Sequence, residues 1–251
     1  MNKGAAILFS LAFYPLLVLY SAASIALLAL LVAAGAPFLP HRANMRRFRR
    51  MISWYGYGII KGLARPAVRV VYEHGTRDRE RGGARIFVAN HISASDPFLM
   101  AVLPEEVVQV VNLWPFRLPV WGIFARWAGY LNIRAMSAEA FQEKAASLLR
   151  EGVSIVAFPE GTRAGAGPMG PFHSALFRLA LATHTSLVPL CIHGNARTPA
   201  RGSLLLHPAT IRVRRLPELP WESFRDQTPF QLKTRVHQQM QQEVDRMRAC
   251  V

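Results

Sequence analysis

The sequence predicts an α/β domain with a mostly parallel central sheet flanked by helices, preceded by an N-terminal hydrophobic membrane helix or helical hairpin. Three observations carry this expectation. Beyond about residue 66, short β-branched runs recur along the chain; helical stretches alternate with those runs; and from Gly4 to Pro40 no charged residue occurs. Alternation of strand and helix patterns is the signature of a sheet whose strands are joined by helical crossovers. The boundaries that follow are 1–66 for the membrane anchor with its basic interfacial segment and 67–251 for the globular domain. A chain of 251 residues suits one such domain with an appendage.

The uncharged stretch, as one straight helix, would measure roughly 55 Å against a hydrocarbon thickness of about 30 Å. Pro15 and the Gly35-Ala36-Pro37 cluster are the expected breaks, leaving Leu16 to Gly35 as a segment of spanning length. Either one transmembrane helix or a bent pair dipping into one leaflet satisfies this pattern. A cleavable signal fits less well, because its apolar region runs to only about 7 to 15 residues. Arg42, Arg46, Arg47, Arg49 and Arg50 follow directly, interleaved with Phe48, Met51, Ile52, Trp54, Tyr55 and Ile59. This composition suits an interfacial helix and, by the positive-inside rule, a cytoplasmic face.

In the globular part the expected strands are 68–73, 85–90, 107–113, 153–158, 187–193 and 210–215. The expected helices are 97–103, 119–128, 138–151, 173–184 and 229–247. The last helix carries Thr228 and Pro229 at its start and an apolar stripe of Val236, Met240, Val244 and Met247, as a core-facing helix should.

Composition narrows the function. A hydrophobic fraction of 51% points to a membrane, and a net charge of +15 favours anionic partners such as lipid headgroups or phosphorylated substrates. Zinc-finger spacing, aromatic RNA-binding signatures and long basic tracts are missing from the sequence, so nucleic acid is not an expected partner. Two cysteines, Cys191 and Cys250, give neither a disulfide framework nor a cysteine metal site.

Ligands of open α/β sheets bind beyond the carboxyl ends of the strands. Two polar loops sit at such ends: NHISASDPF (90–98) after RIFVAN, and FPEGTR (158–163) after VSIVAF. His91 and Asp96 lie about 140° apart on a helical projection, so they meet only if Ser93-Ala94-Ser95 turns between them. In such a turn the carboxylate can hold one imidazole nitrogen and leave the other free as a general base. The alternative is a plain structural turn in which Asp96 caps the following helix. Glu160-Gly161 permits a tight turn, and Arg163 offers a planar fork for phosphate or carboxylate.

NHISASDPF and FPEGTR, in this order, resemble the first and third motifs of the glycerolipid acyltransferase family typified by 1-acylglycerol-3-phosphate acyltransferase. LPVWGIFARWAGYLNIRA (118–135), with Gly129 and Arg134, resembles the second, and LVPLCI (187–192), with Pro189, the fourth. The resemblance covers roughly residues 67 to 215, and ordered motifs together are more specific than any one alone.

It implies that His91, oriented by Asp96, takes the proton of an acceptor hydroxyl, which then attacks the thioester of an acyl-CoA or acyl-carrier protein without a covalent acyl-enzyme. It assigns Glu160, Gly161, Thr162, Arg163 and Arg134 to a lysophospholipid acceptor and implies no metal or cofactor. It also implies a membrane enzyme with its catalytic domain on the cytoplasmic face, as at a bacterial inner membrane. The sequence has no G-x-S-x-G elbow, in keeping with direct transfer.

Three departures stand beside the resemblance. Ile133 replaces the aspartate that commonly precedes the second-motif arginine. Asn112, Leu113 and Arg117 stand where a phosphate-binding lysine is often assigned. Phe172-His173-Ser174-Ala175 replaces F-K-x-G. These leave open an acceptor other than lysophosphatidate, such as a lyso-amino-acid lipid, a glycolipid or a polyene product. A non-catalytic, membrane-anchored lipid-binding protein is the alternative of another class.

Overall fold

The computed structural model describes residues 3–74, 83–101 and 103–249. Two long helices come first, α1 (Lys3–Gly35) and α2 (His41–Gly58), followed by a π-turn at Ile59–Leu63. The domain then runs β1 (Val68–His74), β2 (Ile86–Ala89), α3 (Asp96–Met100), β3 (Val107–Val111), α4 (Leu113–Arg117), α5 (Pro119–Trp127) and β4 (Leu131–Asn132). It continues through α6 (Ala138–Arg150), β5 (Ser154–Ala157), α7 (Ala175–Thr183), β6 (Leu187–His193), β7 (Ala209–Arg215) and α8 (Pro229–Ala249). Each expected strand and helix is present to within a few residues. Within the expected helix 97–103, Val102 lies outside the described residues, as does Cys250.

One seven-stranded sheet has the order β1-β7-β6-β2-β5-β3-β4. From β6 to β4 every neighbour is parallel, while β7 runs antiparallel to β6 and β1 follows β7. IFVA of β2 and SIVA of β5 are buried at every position, as continuous apolar runs must be when both faces of a sheet are covered. One face packs on Phe141, Leu148, Phe177, Leu232, Val236 and Met240 of α6, α7 and α8, and the other on Leu99 and Met100 of α3 with Ile60.

The crossovers place the site. From β2 the chain passes over α3 to β3, on one side; from β5 it passes over α7 to β6, on the other. The two strands are adjacent, with Phe87 beside Val156 in register. Their carboxyl-end loops therefore diverge to opposite faces and leave a crevice at a switch point.

The N-terminal segment is a hairpin packed on the domain. α1 runs unbroken through Pro15, so only the cluster after Gly35 interrupts it. Proline removes a single backbone donor, and the remaining hydrogen bonds of a long apolar helix hold the turn together. Its buried stripe is Ala6, Ser10, Phe13, Leu17, Ser21, Leu28 and Gly35, and Phe13, Leu17 and Leu28 share a core with Phe48, Ile52 and Tyr55 of α2 and Phe124 of α5.

Polar ties fix the pair along its length. Asn44 Nδ2 donates to the Val32 carbonyl at 2.9 Å, and the Ser21 and Tyr55 hydroxyls meet at 2.8 Å. Arg49 locks α2 to the domain through Ala128 O at 3.0 Å and Glu106 Oε1 at 2.9 Å. The opposite faces of α1 expose Leu8, Leu11, Leu19 and Leu30, each at least 66% accessible. By length and composition α1 could cross a membrane.

Candidate active site

Asn90 follows β2 directly and folds its amide onto β6: Nδ2 donates to Ile192 O at 3.0 Å and Oδ1 accepts from Ile192 N at 2.6 Å. This extends the sheet by one side-chain rung and aims the next residue out of its edge. His91 follows, its side chain 19% accessible.

Its Nδ1 lies 2.6 Å from Asp96 Oδ2. The same oxygen accepts from Ile92 N at 2.7 Å and Ser93 N at 2.9 Å. Asp96 thus turns back into the 91–96 turn, and α3 takes Ser95 as its cap position without a side-chain bond. In the tautomer whose Nδ1–H donates to this carboxylate, Nε2 carries the lone pair, and among the described residues no hydrogen bond engages it. The turn that this dyad requires is present.

The second loop clamps the first. Glu160 Oε1 accepts from His91 N at 2.7 Å and Ala164 N donates to His91 O at 2.8 Å, while the Phe158 ring lies 4.6 Å from the imidazole. The other Glu160 oxygen accepts from Gly170 N at 2.7 Å, and the residue is 6% accessible. Burial pushes the Glu160 carboxyl above its usual range, opposed by these two amide bonds. The resemblance assigned Glu160 to the acceptor, and the structure gives both of its oxygens to the chain itself.

Gly161 sits at φ 68°, where a Cβ would come 3.2 Å from His173 Nε2, so the tight turn needs glycine. Thr162 is exposed, and Arg163 is half-buried. Among the described residues, no hydrogen bond or ion pair engages the Arg163 guanidinium. Arg134 lies exposed beyond β4, three strands from β2, which is about 14 Å along the edge at the usual strand spacing. The fold therefore joins His91, Asp96 and the EGTR loop in one unit and leaves Arg134 at its periphery.

Sequence reasoning missed Asn195. It is fully buried beyond β6, and its Nδ2 donates to Asp96 Oδ1 at 2.5 Å and Ser95 Oγ at 3.2 Å. The available signal was the Gly194-Asn195 pair closing a third parallel strand. Gly194 has φ 96° and leaves no room for a Cβ, which would lie 2.2 Å from Thr210 O.

Cys191 is buried in β6, and burial pushes its thiol up to about 12. Such a thiol supplies almost no thiolate at neutral pH. Cys191→Ala is expected to keep activity within about threefold of the unmodified chain, since it removes no reacting group. Loss of turnover by this variant, at unchanged stability, would point to a cysteine intermediate.

A buried carboxylate bonded to an imidazole, with an arginine that no hydrogen bond or ion pair engages among the described residues, stands at a switch point of an α/β sheet. Comparison with known proteins then places it. Residues 70–193 match the family model described as Acyltransferase. A 1-acyl-sn-glycerol-3-phosphate acyltransferase of Limnanthes alba is 29% identical over 139 residues, covering 53% of this chain and 50% of that protein. The alpha form from Ovis aries is 28% identical over 196 residues, covering 72% and 67%. The chain spans about half the length of the first of these relatives.

The crystal structure of the 1-acyl-sn-glycerophosphate (LPA) acyltransferase, PlsC, from Thermotoga maritima shares the fold. Its TM-score is 0.81 at 21% identity, over 99% of this chain and 98% of that one.

Proposed function

We propose that this chain is a membrane-associated O-acyltransferase that moves an acyl group from acyl-CoA or acyl-carrier protein to the free hydroxyl of 1-acylglycerol-3-phosphate, on the cytoplasmic face of the membrane. The carrying observation is the 2.6 Å bond between His91 Nδ1 and Asp96, which fixes the ring and leaves Nε2 open. Nε2 takes the hydroxyl proton as the oxygen attacks the thioester carbon. The new C–O bond forms, the C–S bond breaks, and the leaving thiolate recovers the proton from the imidazolium, whose charge Asp96 stabilises meanwhile. Related proteins named 1-acyl-sn-glycerol-3-phosphate acyltransferase support the acceptor, and α1 supports the membrane.

Arg163 is the anchor we assign to the acceptor phosphate, because nothing among the described residues engages its guanidinium on the loop that clamps His91. Arg163→Ala is expected to lower kcat/KM for lysophosphatidate roughly tenfold or more while changing acyl-donor KM much less, and Arg163→Lys to recover only part, since lysine lacks the two-pronged geometry. Equal losses for donor and acceptor would remove this role. The exposed Ile133 at the second motif favours a second reading, in which the acceptor lacks a phosphate monoester. Under that reading, uncharged or zwitterionic lyso-lipids outcompete lysophosphatidate by more than about tenfold in kcat/KM.

A further inference from the structure

We infer that the loop over residues 195–208 is a second membrane-contact element, carried by the catalytic domain, and that Leu204 enters the headgroup region of an anionic bilayer beside α1. The inference rests on the membrane association read above and not on the acyl-transfer chemistry.

Four observations converge on the loop. Leu204 is 73% accessible, the most exposed large apolar side chain beyond α2 among the described residues. Two residues on, Leu206 is buried against the α1–α2 core, and its N–H donates to Ser10 Oγ of α1 at 2.9 Å. Leu204 therefore stands within about 7 Å of chain from that contact, and Ile7 and Leu11, within one helical turn of Ser10, are exposed on α1. The apolar surface of α1 thus continues onto the domain. Gly202, at φ 77°, turns the chain just before it.

Charge fits the same occupant. Between Glu160 and Glu218 the sequence contains no acidic residue, and Arg197 and Arg201 are exposed on this loop, with Lys3 at the start of α1. An exposed leucine on a loop that also exposes basic side chains is the composition of an interfacial contact with anionic lipid.

The loop is also fastened to the dyad. Ser93 Oγ lies 3.0 Å from the carbonyls of both Thr198 and Pro199, and Asn195 holds Asp96. Seating Leu204 in the headgroups would set the crevice against the leaflet surface, where a lyso-lipid hydroxyl can reach His91 without leaving the membrane.

The test uses the full chain with Cys250→Ser, so that a single engineered cysteine takes an environment-sensitive thiol dye while buried Cys191 does not compete. Dye is placed by Leu204→Cys, by Leu8→Cys on α1, or by Glu222→Cys at the opposite edge of the sheet. Each protein is mixed with phosphatidylcholine–phosphatidylglycerol vesicles whose acyl chains carry bromine. The inference predicts a blue shift and about twofold quenching at positions 204 and 8 and neither at 222. It also predicts that Leu204→Asp, a change at an exposed site, weakens vesicle binding roughly tenfold. Quenching at 8 without quenching at 204 overturns the inference and leaves membrane association through α1 intact. Quenching at neither overturns both, while acyl transfer to a detergent-dispersed acceptor would still stand or fall separately.

Discussion

His91→Ala is expected to lower acyl transfer by roughly 10² to 10⁴-fold, the range for loss of a general base. The fold should survive. Both backbone groups of His91 are held by Glu160 and Ala164, and neither bond involves the ring. The stranded Asp96 carboxylate keeps three donors, from Ile92, Ser93 and Asn195. Thermal unfolding and vesicle association of the variant should therefore match the parent, separating chemistry from stability. Activity within about threefold of the parent would rule out the mechanism.

The second large effect is expected at Asp96. Its Oδ2 accepts from three donors and its Oδ1 from Asn195 Nδ2, so both ends of the group must accept. In Asp96→Asn one end becomes a donor, which must face either the Asn195 amide or the cluster of His91, Ile92 and Ser93. We expect a loss of about 1–3 kcal/mol of folding free energy from the unsatisfied buried pair, and a fall in kcat/KM of roughly 10² to 10⁴-fold because the imidazole loses its orienting charge. Asn195→Asp alone sets two buried carboxylates against each other. Combining it with Asp96→Asn restores a donor–acceptor match, so the double variant should regain much of the stability but only part of the activity, the charge having moved away from the ring. Strictly additive losses in the double variant would show that the Asn195 contact contributes nothing.

Local pattern revealed the frame because local physics decides it. β2 and β5 read as strands from their uninterrupted apolar runs, and α8 from the spacing of Val236, Met240, Val244 and Met247, all of them buried. The two-residue β4 and the five-residue α4 carry no periodicity to read. The unbroken course of α1 was hidden for a different reason: proline signals a break locally, while α1 is held by contacts as distant as Leu206.

At the site, the His91–Asp96 pair was legible because both residues lie in one short turn. Asn195 was not, since only the parallel alignment of β6 with β2 brings a residue 99 positions from Asp96 against its carboxylate. The bracing of His91 by Glu160 had the same origin, in the pairing of β2 with β5.

The most direct test of the central claim is a product assay. Purified protein in vesicles is given isotopically labelled acyl-CoA or acyl-carrier protein together with a panel of lyso-lipids, and the lipids are read by mass spectrometry alongside the His91→Ala variant. The account predicts labelled phosphatidate from lysophosphatidate with the parent chain, and at least about 10²-fold less with the variant. Absence of labelled diacyl product from every lyso-lipid with the parent, or equal product from both proteins, would contradict it.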